Sequence, residues 1–79
     1  MNVEIISPSS RLFQGSVKSV TVPSKMGPFT LLENHAPIVA ILEAGKVSLT
    51  DEKNERHEFA IKSGFAEQHD NKLIVCVEI

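Results

Sequence analysis

Apolar and polar residues alternate along most of the chain in short runs separated by turn formers. A period of two predicts strands rather than helices. Val3 and Ile5 alternate with Glu4 until Ser7-Pro8-Ser9-Ser10 breaks the run. Leu12-Phe13 predicts a short strand closed by Gly15. Val20 and Val22 face one way and Thr21 the other, and Pro23 closes that strand. Val47 and Leu49 alternate with Ser48 and Thr50, as do Phe59 and Ile61 with Glu58 and Lys62. Leu73, Val75 and Val77 form a last inward row. This series favours a sandwich or barrel.

Two polar joints separate alternating runs. Asp51-Glu52-Lys53-Asn54-Glu55-Arg56 and Gln68-His69-Asp70-Asn71-Lys72 both read as solvated hairpin turns. One segment stays open on pattern alone. Asn34 can cap a helix, Ile38, Ile41 and Leu42 have helical spacing, and Gly45 can end it. Ile38-Val39-Ala40-Ile41 is also apolar on both faces and rich in β-branched residues, which suits a strand buried on both sides.

Length narrows the picture. A chain of 79 residues allows one domain, spanning 1–79. A fold of 8.7 kDa leaves about 4,700 Å² of accessible surface and a thin stability margin, which partners often supplement. Cys76 is the only cysteine, so no disulfide forms within the chain, and a buried reduced thiol suits the cytoplasm. Met1-Asn2-Val3-Glu4 lacks a basic-then-apolar signal pattern, so no targeting segment is expected. The apolar runs fall well short of the roughly 18 residues that span a bilayer. Direct bilayer insertion is therefore not expected. The net charge is −2, and the mixed charges contain no basic block to displace counterions from a phosphate backbone. Trp and Tyr are absent and Phe occurs four times, too few for a base-stacking platform. Nucleic acid is not an expected partner.

Site chemistry is sparse. His35, His57 and His69 form no i, i+4 pair, and Cys76 lies in no Cys-x-x-Cys unit, so no metal is expected. Gly-x-Ser-x-Gly, P-loop and Gly-x-Gly-x-x-Gly patterns are absent, and nothing pairs a nucleophile with a base. Lys25-Met26, between Pro23 and Gly27, offers one alternative. Biotinyl and lipoyl carrier domains are all-β and present one modified lysine on a hairpin. The flanking Met of the biotin type and Asp of the lipoyl type are both missing before Lys25, where Ser24 stands.

The stretch Gly27-Pro28-Phe29-Thr30-Leu31-Leu32-Glu33-Asn34-His35-Ala36-Pro37 resembles a loop of the epsilon subunit of F-type ATP synthases, which usually reads Gly-Glu-Phe-Gly-Val-Leu-Pro-Gly-His-Ala-Pro. The resemblance covers nearly the whole chain. Val3-Glu4-Ile5-Ile6-Ser7-Pro8 is similar to that family's opening strand, and Leu12-Phe13-Gln14-Gly15 to its aromatic-x-Gly element. Val17-Lys18-Ser19-Val20-Thr21-Val22-Pro23 resembles its Val-x-x-Val-x-Val-Pro strand. Ser63-Gly64-Phe65-Ala66-Glu67 resembles its Gly-Gly-Phe-x-Glu piece, and Asn71-Lys72-Leu73-Ile74-Val75 its last strand.

The resemblance implies an all-β fold, a flattened antiparallel β-sandwich of about ten short strands, with the open segment a strand. It implies a non-catalytic rotor subunit without a cofactor, at the foot of the central stalk. Its partners would be the gamma subunit and the membrane rotor ring, with alpha and beta in the same complex. It would lie peripherally on the cytoplasmic face of a bacterial inner membrane. Carried over residue by residue, the corner Glu33, Asn34 and His35 would face the ring, with Pro28 and Phe29 beside it. Leu12, Ile38, Ala40 and Leu42 would meet gamma. Pro28 stands where the family usually has Glu, Thr30 where it has Gly, and Glu33-Asn34 where it has Pro-Gly. Family members usually continue into a hairpin of two helices, which latches the catalytic head or holds ATP. This chain stops at Ile79, so neither ATP binding nor inhibition by helix extension is expected of it.

Overall fold

The computed structural model describes residues 1–33 and 36–79. Eight strands carry the described residues: β1 (Asn2–Ile6), β2 (Arg11–Ser24), β3 (Gly27–Leu32), β4 (Ile38–Leu42), β5 (Gly45–Asp51), β6 (Arg56–Ile61), β7 (Ser63–His69) and β8 (Lys72–Glu78). Their order is β1-β8-β7-β4-β2-β5-β6, with β3 and β1 also paired to β2. The alternating runs and the segment 38–42 are strands. Among the described residues there are eight strands rather than ten, and one pairing, β1 with β8, is parallel.

The fourteen-residue β2 ties the molecule together. Its first half pairs with β1, its middle with β5, and its last residues with β3 and β4. One layer is therefore β1-β8-β7-β4 and the other β3-β2-β5-β6. Gly15 and Pro23 were expected to stop strands, and neither does. Gly15 faces Val3 within the β1 ladder. Pro23 faces Pro28, so both missing N–H groups fall at one step of the β2–β3 ladder, which resumes at Ser24 opposite Gly27.

The inward residues of both layers make one core. Val3, Ile5, Val20, Val22, Leu31, Val47, Leu49, Leu73 and Val75 are all buried. The thinnest dimension of the molecule, 19 Å, suits two sheets about 10 Å apart plus their outward side chains. The accessible surface is 4771 Å², close to the value expected from mass.

The hairpins close as their residues dictate. Asp70 and Asn71 have φ of 51° and 60°, the left-handed pair that a two-residue turn between twisted strands requires. Gln68 lies before that turn and is not solvated: it is 1% exposed. Its Nε2–H donates to Met1 Sδ at 3.5 Å, and its Oε1 has no partner among the described residues.

Candidate functional site

The two outer faces of the sandwich differ in chemistry. Paired residues in a ladder point to the same side. Over β3-β2-β5-β6 the register sets Thr30, Thr21, Ser48 and Glu58 in one outward row. Thr21 Oγ1 and Thr30 Oγ1 lie 2.9 Å apart. Hydroxyls and charges there leave a face suited to water. Over β4-β7-β8-β1 the corresponding row is Ile41, Phe65, Cys76 and Ile6. Val39 and Ile74 stand in the next row, with Glu67 between them and Glu4 beyond. Val39 is 63% exposed, Ile41 56% and Phe65 45%. Apolar side chains grouped this way on one face mark an interaction surface.

The β2–β3 turn extends this face. Met26 is 96% exposed, and the Met26 N–H donates to Ser24 Oγ at 3.1 Å. The Lys25 N–H donates to the Ile41 carbonyl at 3.0 Å, and the Glu43 N–H to the Pro23 carbonyl at 2.9 Å, which ties the turn to β4. An open groove of about 630 Å³ runs between them, lined by Met26, Phe29, Ile38, Val39, Ala40 and Ile41. A second hollow of about 370 Å³ lies between Ile6, Pro8, Phe65 and Cys76.

Of the residues assigned to gamma, Ile38 and Ala40 are half-buried and line the groove. Leu12 is half-buried and packs against the core from β2. Leu42 is 1% exposed and belongs to the core, so it offers no surface to a partner. Val39 and Ile41 present the apolar surface instead. A strand apolar at all five positions hides which parity faces out, and only the register with β7 decides it. The expectation of burial on both sides fails for the same reason.

The described residues assigned to the ring lie at the two ends of β3. Pro28 is exposed and Phe29 half-buried near the start of β3, whereas Glu33 follows its end. Five steps of chain set Pro28 about 16 Å from Glu33, so among the described residues Pro28 and Phe29 do not sit beside Glu33. Glu33 Oε1 lies 3.5 Å from the Met1 amino nitrogen. Asn34 and His35 lie outside the described residues. Lys25 is exposed on its turn.

Asp51, Glu55 and His57 bring their possible ligand atoms within 4.8 Å of one another. The Asp51 carboxylate and the His57 ring already have work in the hairpin. Asp51 Oδ1 accepts the N–H groups of Lys53 at 2.8 Å and Glu55 at 2.9 Å. Asp51 Oδ2 lies 2.9 Å from His57 Nε2. The hydrogen bond with His57, then that from the Glu55 N–H, hold the Asp51 carboxyl below its usual pKa. The His57 ring is tilted against Phe13 at 5.3 Å. This cluster closes β5 onto β6.

Comparison with known proteins agrees with the geometry. The family described as ATP synthase, delta/epsilon chain, β-sandwich domain matches residues 1–79. The ATP synthase epsilon chain of Campylobacter curvus is 33% identical over 79 residues, covering 99% of this chain and 60% of that protein. That of Chlorobium limicola is 37% identical over 76 residues, covering 96% of this chain and 86% of that protein. This chain thus spans less than two thirds of the first relative and most of the second. A chain in the cryo-EM structure of the Euglena gracilis mitochondrial ATP synthase superposes with a TM-score of 0.89 at 19% identity, covering 95% of this chain and 48% of its own. A chain of the Tetrahymena thermophila mitochondrial ATP synthase central stalk and c-ring gives 0.84 at 15%, covering 99% and 63%. At such identities the two structures speak for the fold.

Proposed function

This chain belongs to the ATP synthase delta/epsilon β-sandwich family, and on that premise we propose that it is a non-catalytic subunit of the rotating central stalk. Residues 1–79 act as one stiff unit joining gamma to the membrane rotor ring, in a complex with alpha and beta. The subunit has no active site of its own and lies at the cytoplasmic face of the inner membrane through its partners.

The observation that carries this reading is the apolar outer face of β4-β7-β8-β1. Gamma docks there, on Val39 and Ile41, with Ile38 and Ala40 flooring the groove, while Leu12 packs on the core from the start of β2. Leu42 supports the strand from the core. The ring meets the corner Glu33, Asn34 and His35, and Pro28 adds a separate contact at the other end of β3. Two contacts of about 800 Å² each cover about a third of the 4771 Å² surface. A small domain gains stability from such partners by linkage. A joint under torque needs stiffness, which eight laddered strands around a close-packed core provide.

The test is to tag the full chain in its native cell, purify it from gently solubilised membranes and identify its companions by mass spectrometry. Gamma, alpha, beta and the ring protein are the expected companions. Recovery with a carboxylase or dehydrogenase, together with a biotinyl or lipoyl mass on Lys25, would overturn this reading in favour of a carrier domain.

A further inference from the structure

We propose that the outer face of β4, β7, β8 and β1 receives an amphipathic helix of the stalk partner. That helix lies across the strands along Ile41, Phe65, Cys76 and Ile6, with Lys or Arg on both flanks. The inference takes its partner from the proposed function and names the element that partner must present.

The backbone of this face decides how docking occurs. β7 is laddered to β4 and β8, and β8 to β7 and β1. These central strands have no free edge for an added strand, so a partner engages through side chains alone. The apolar track is continuous only across the strands. Along β7, Phe65 is followed on its own face by Ser63 in one direction and Glu67 in the other. Four strands about 4.8 Å apart give a track of roughly 14 Å. A helix of nine or ten residues is about that long, and presents apolar side chains at i, i+3 or i+4, and i+7. The hollow between Ile6, Pro8, Phe65 and Cys76 takes one of them, and the groove beside Met26 and Val39 another.

The rim sets the charge. The next outward residue along a strand lies about 7 Å away. Glu67 stands on one side of the track and Glu78 on the other, with Glu43 just beyond β4 on the Glu78 side. All three are exposed, and none forms an ion pair among the described residues. Glu4 is engaged by Arg11, whose Nε–H donates to Glu4 Oε2 at 2.9 Å. The cations near the face are Lys25, which lines the groove beside Met26, Lys62, whose N–H donates to the Glu78 carbonyl at the edge of the rim, and Lys72, which pairs with His69 one step beyond Glu67. A track between acidic rims about 14 Å apart admits a helix about 10–12 Å across, and favours basic flanks that hold its axis along the track.

The test titrates the full chain, labelled for NMR, with a synthetic helical peptide bearing a Leu stripe and Lys on both flanks. Purified gamma is titrated in parallel. Amide shifts are expected at Ile6, Ile41, Phe65 and Cys76. A Glu-flanked peptide should bind about tenfold more weakly, a difference of 1.4 kcal/mol. Phe65→Ser should weaken both the Lys-flanked peptide and gamma, and Glu67→Lys with Glu78→Lys should invert the preference between peptides. Equal affinity for the two peptides, shifts confined to other surfaces, or self-association through this track would overturn the proposal. If gamma binds wild type and Phe65→Ser alike, the helix track is wrong and the stalk reading stands. If gamma fails to bind while the peptide behaves as stated, the stalk reading is wrong and the helix track stands.

Discussion

His57 reaches across the β5–β6 hairpin to Asp51, with Nε2 and Oδ2 2.9 Å apart. The same carboxylate receives two backbone N–H groups of the turn. Its pKa is lowered from 3.8 in the fold, first by the His57 hydrogen bond and then by the Glu55 N–H. A depressed carboxyl favours the folded state above its unfolded pKa, and that contribution is lost as pH falls through the folded value. The window is therefore acid, from about pH 3.8 downward. Urea midpoints of wild type and Asp51→Asn, measured from pH 6 to pH 2, should converge in this window, because other carboxylates titrate in both proteins. Midpoints that stay parallel would show that Asp51 contributes no linked stability.

Gly64 faces Leu42 on one side and Val77 on the other. A Cβ at this position presses into the backbone of Cys76 and Val77, which cannot rotate away as a side chain would. Gly64→Ala should cost about 3 kcal/mol in urea unfolding, the upper range for overpacking. Gly27 is the control of opposite kind. A Cβ there meets nothing within 4 Å, but φ is 114°, so Gly27→Ala should cost only roughly 1–2 kcal/mol of backbone strain. If Gly64→Ala is the milder of the two, the close approach of β7 to β8 is not what requires glycine.

The alternating runs were legible because large apolar residues occupy every second place. Val3 and Ile5, Val47 and Leu49, and Leu73, Val75 and Val77 are all buried as their spacing indicates. β7 is hidden from that reading. Its inward positions hold Gly64, Ala66 and Gln68, two small residues and an amide, and its one large apolar residue, Phe65, faces out. Only the family resemblance revealed part of it. The continuity of β2 was hidden too, because Gly15 and Pro23 are local stop signals that its ladder partners override. The site was half legible: the segment 38–42 was picked out, but its outward parity is a property of register, which no local pattern encodes.

The corner after β3 supplies a separate prediction. Glu33 is an exposed residue whose only ion pair among the described residues is with the Met1 amino group at 3.5 Å. An exposed pair of this kind contributes at most about 1 kcal/mol. Replacing Asn34 and His35 by Ala should leave the urea midpoint within about 0.5 kcal/mol of wild type, and weaken attachment of the purified chain to reconstituted rotor rings. Attachment that persists unchanged, or a fold that collapses, would remove the corner from the ring contact.

Ile41 and Leu42 give the sharpest separation of surface from core, because they are adjacent in sequence and opposite in environment. Ile41 stands outward beside Phe65, whereas Leu42 is buried opposite Gly64. Truncating Leu42 leaves a cavity between packed sheets, so Leu42→Ala should cost about 2–5 kcal/mol of stability. Truncating Ile41 removes surface already in contact with water, so Ile41→Ser should change stability by less than about 1 kcal/mol. The order reverses for partner binding. Ile41→Ser should weaken gamma binding by about tenfold or more, as for an apolar anchor near the centre of an interface. Leu42→Ala, assayed well below its unfolding temperature, should bind nearly as wild type. Both quantities are read on the same samples, by urea unfolding and by calorimetric titration with purified gamma. If Ile41→Ser binds gamma as tightly as wild type, the β4 face is not the gamma surface, whatever Leu42→Ala does to the fold.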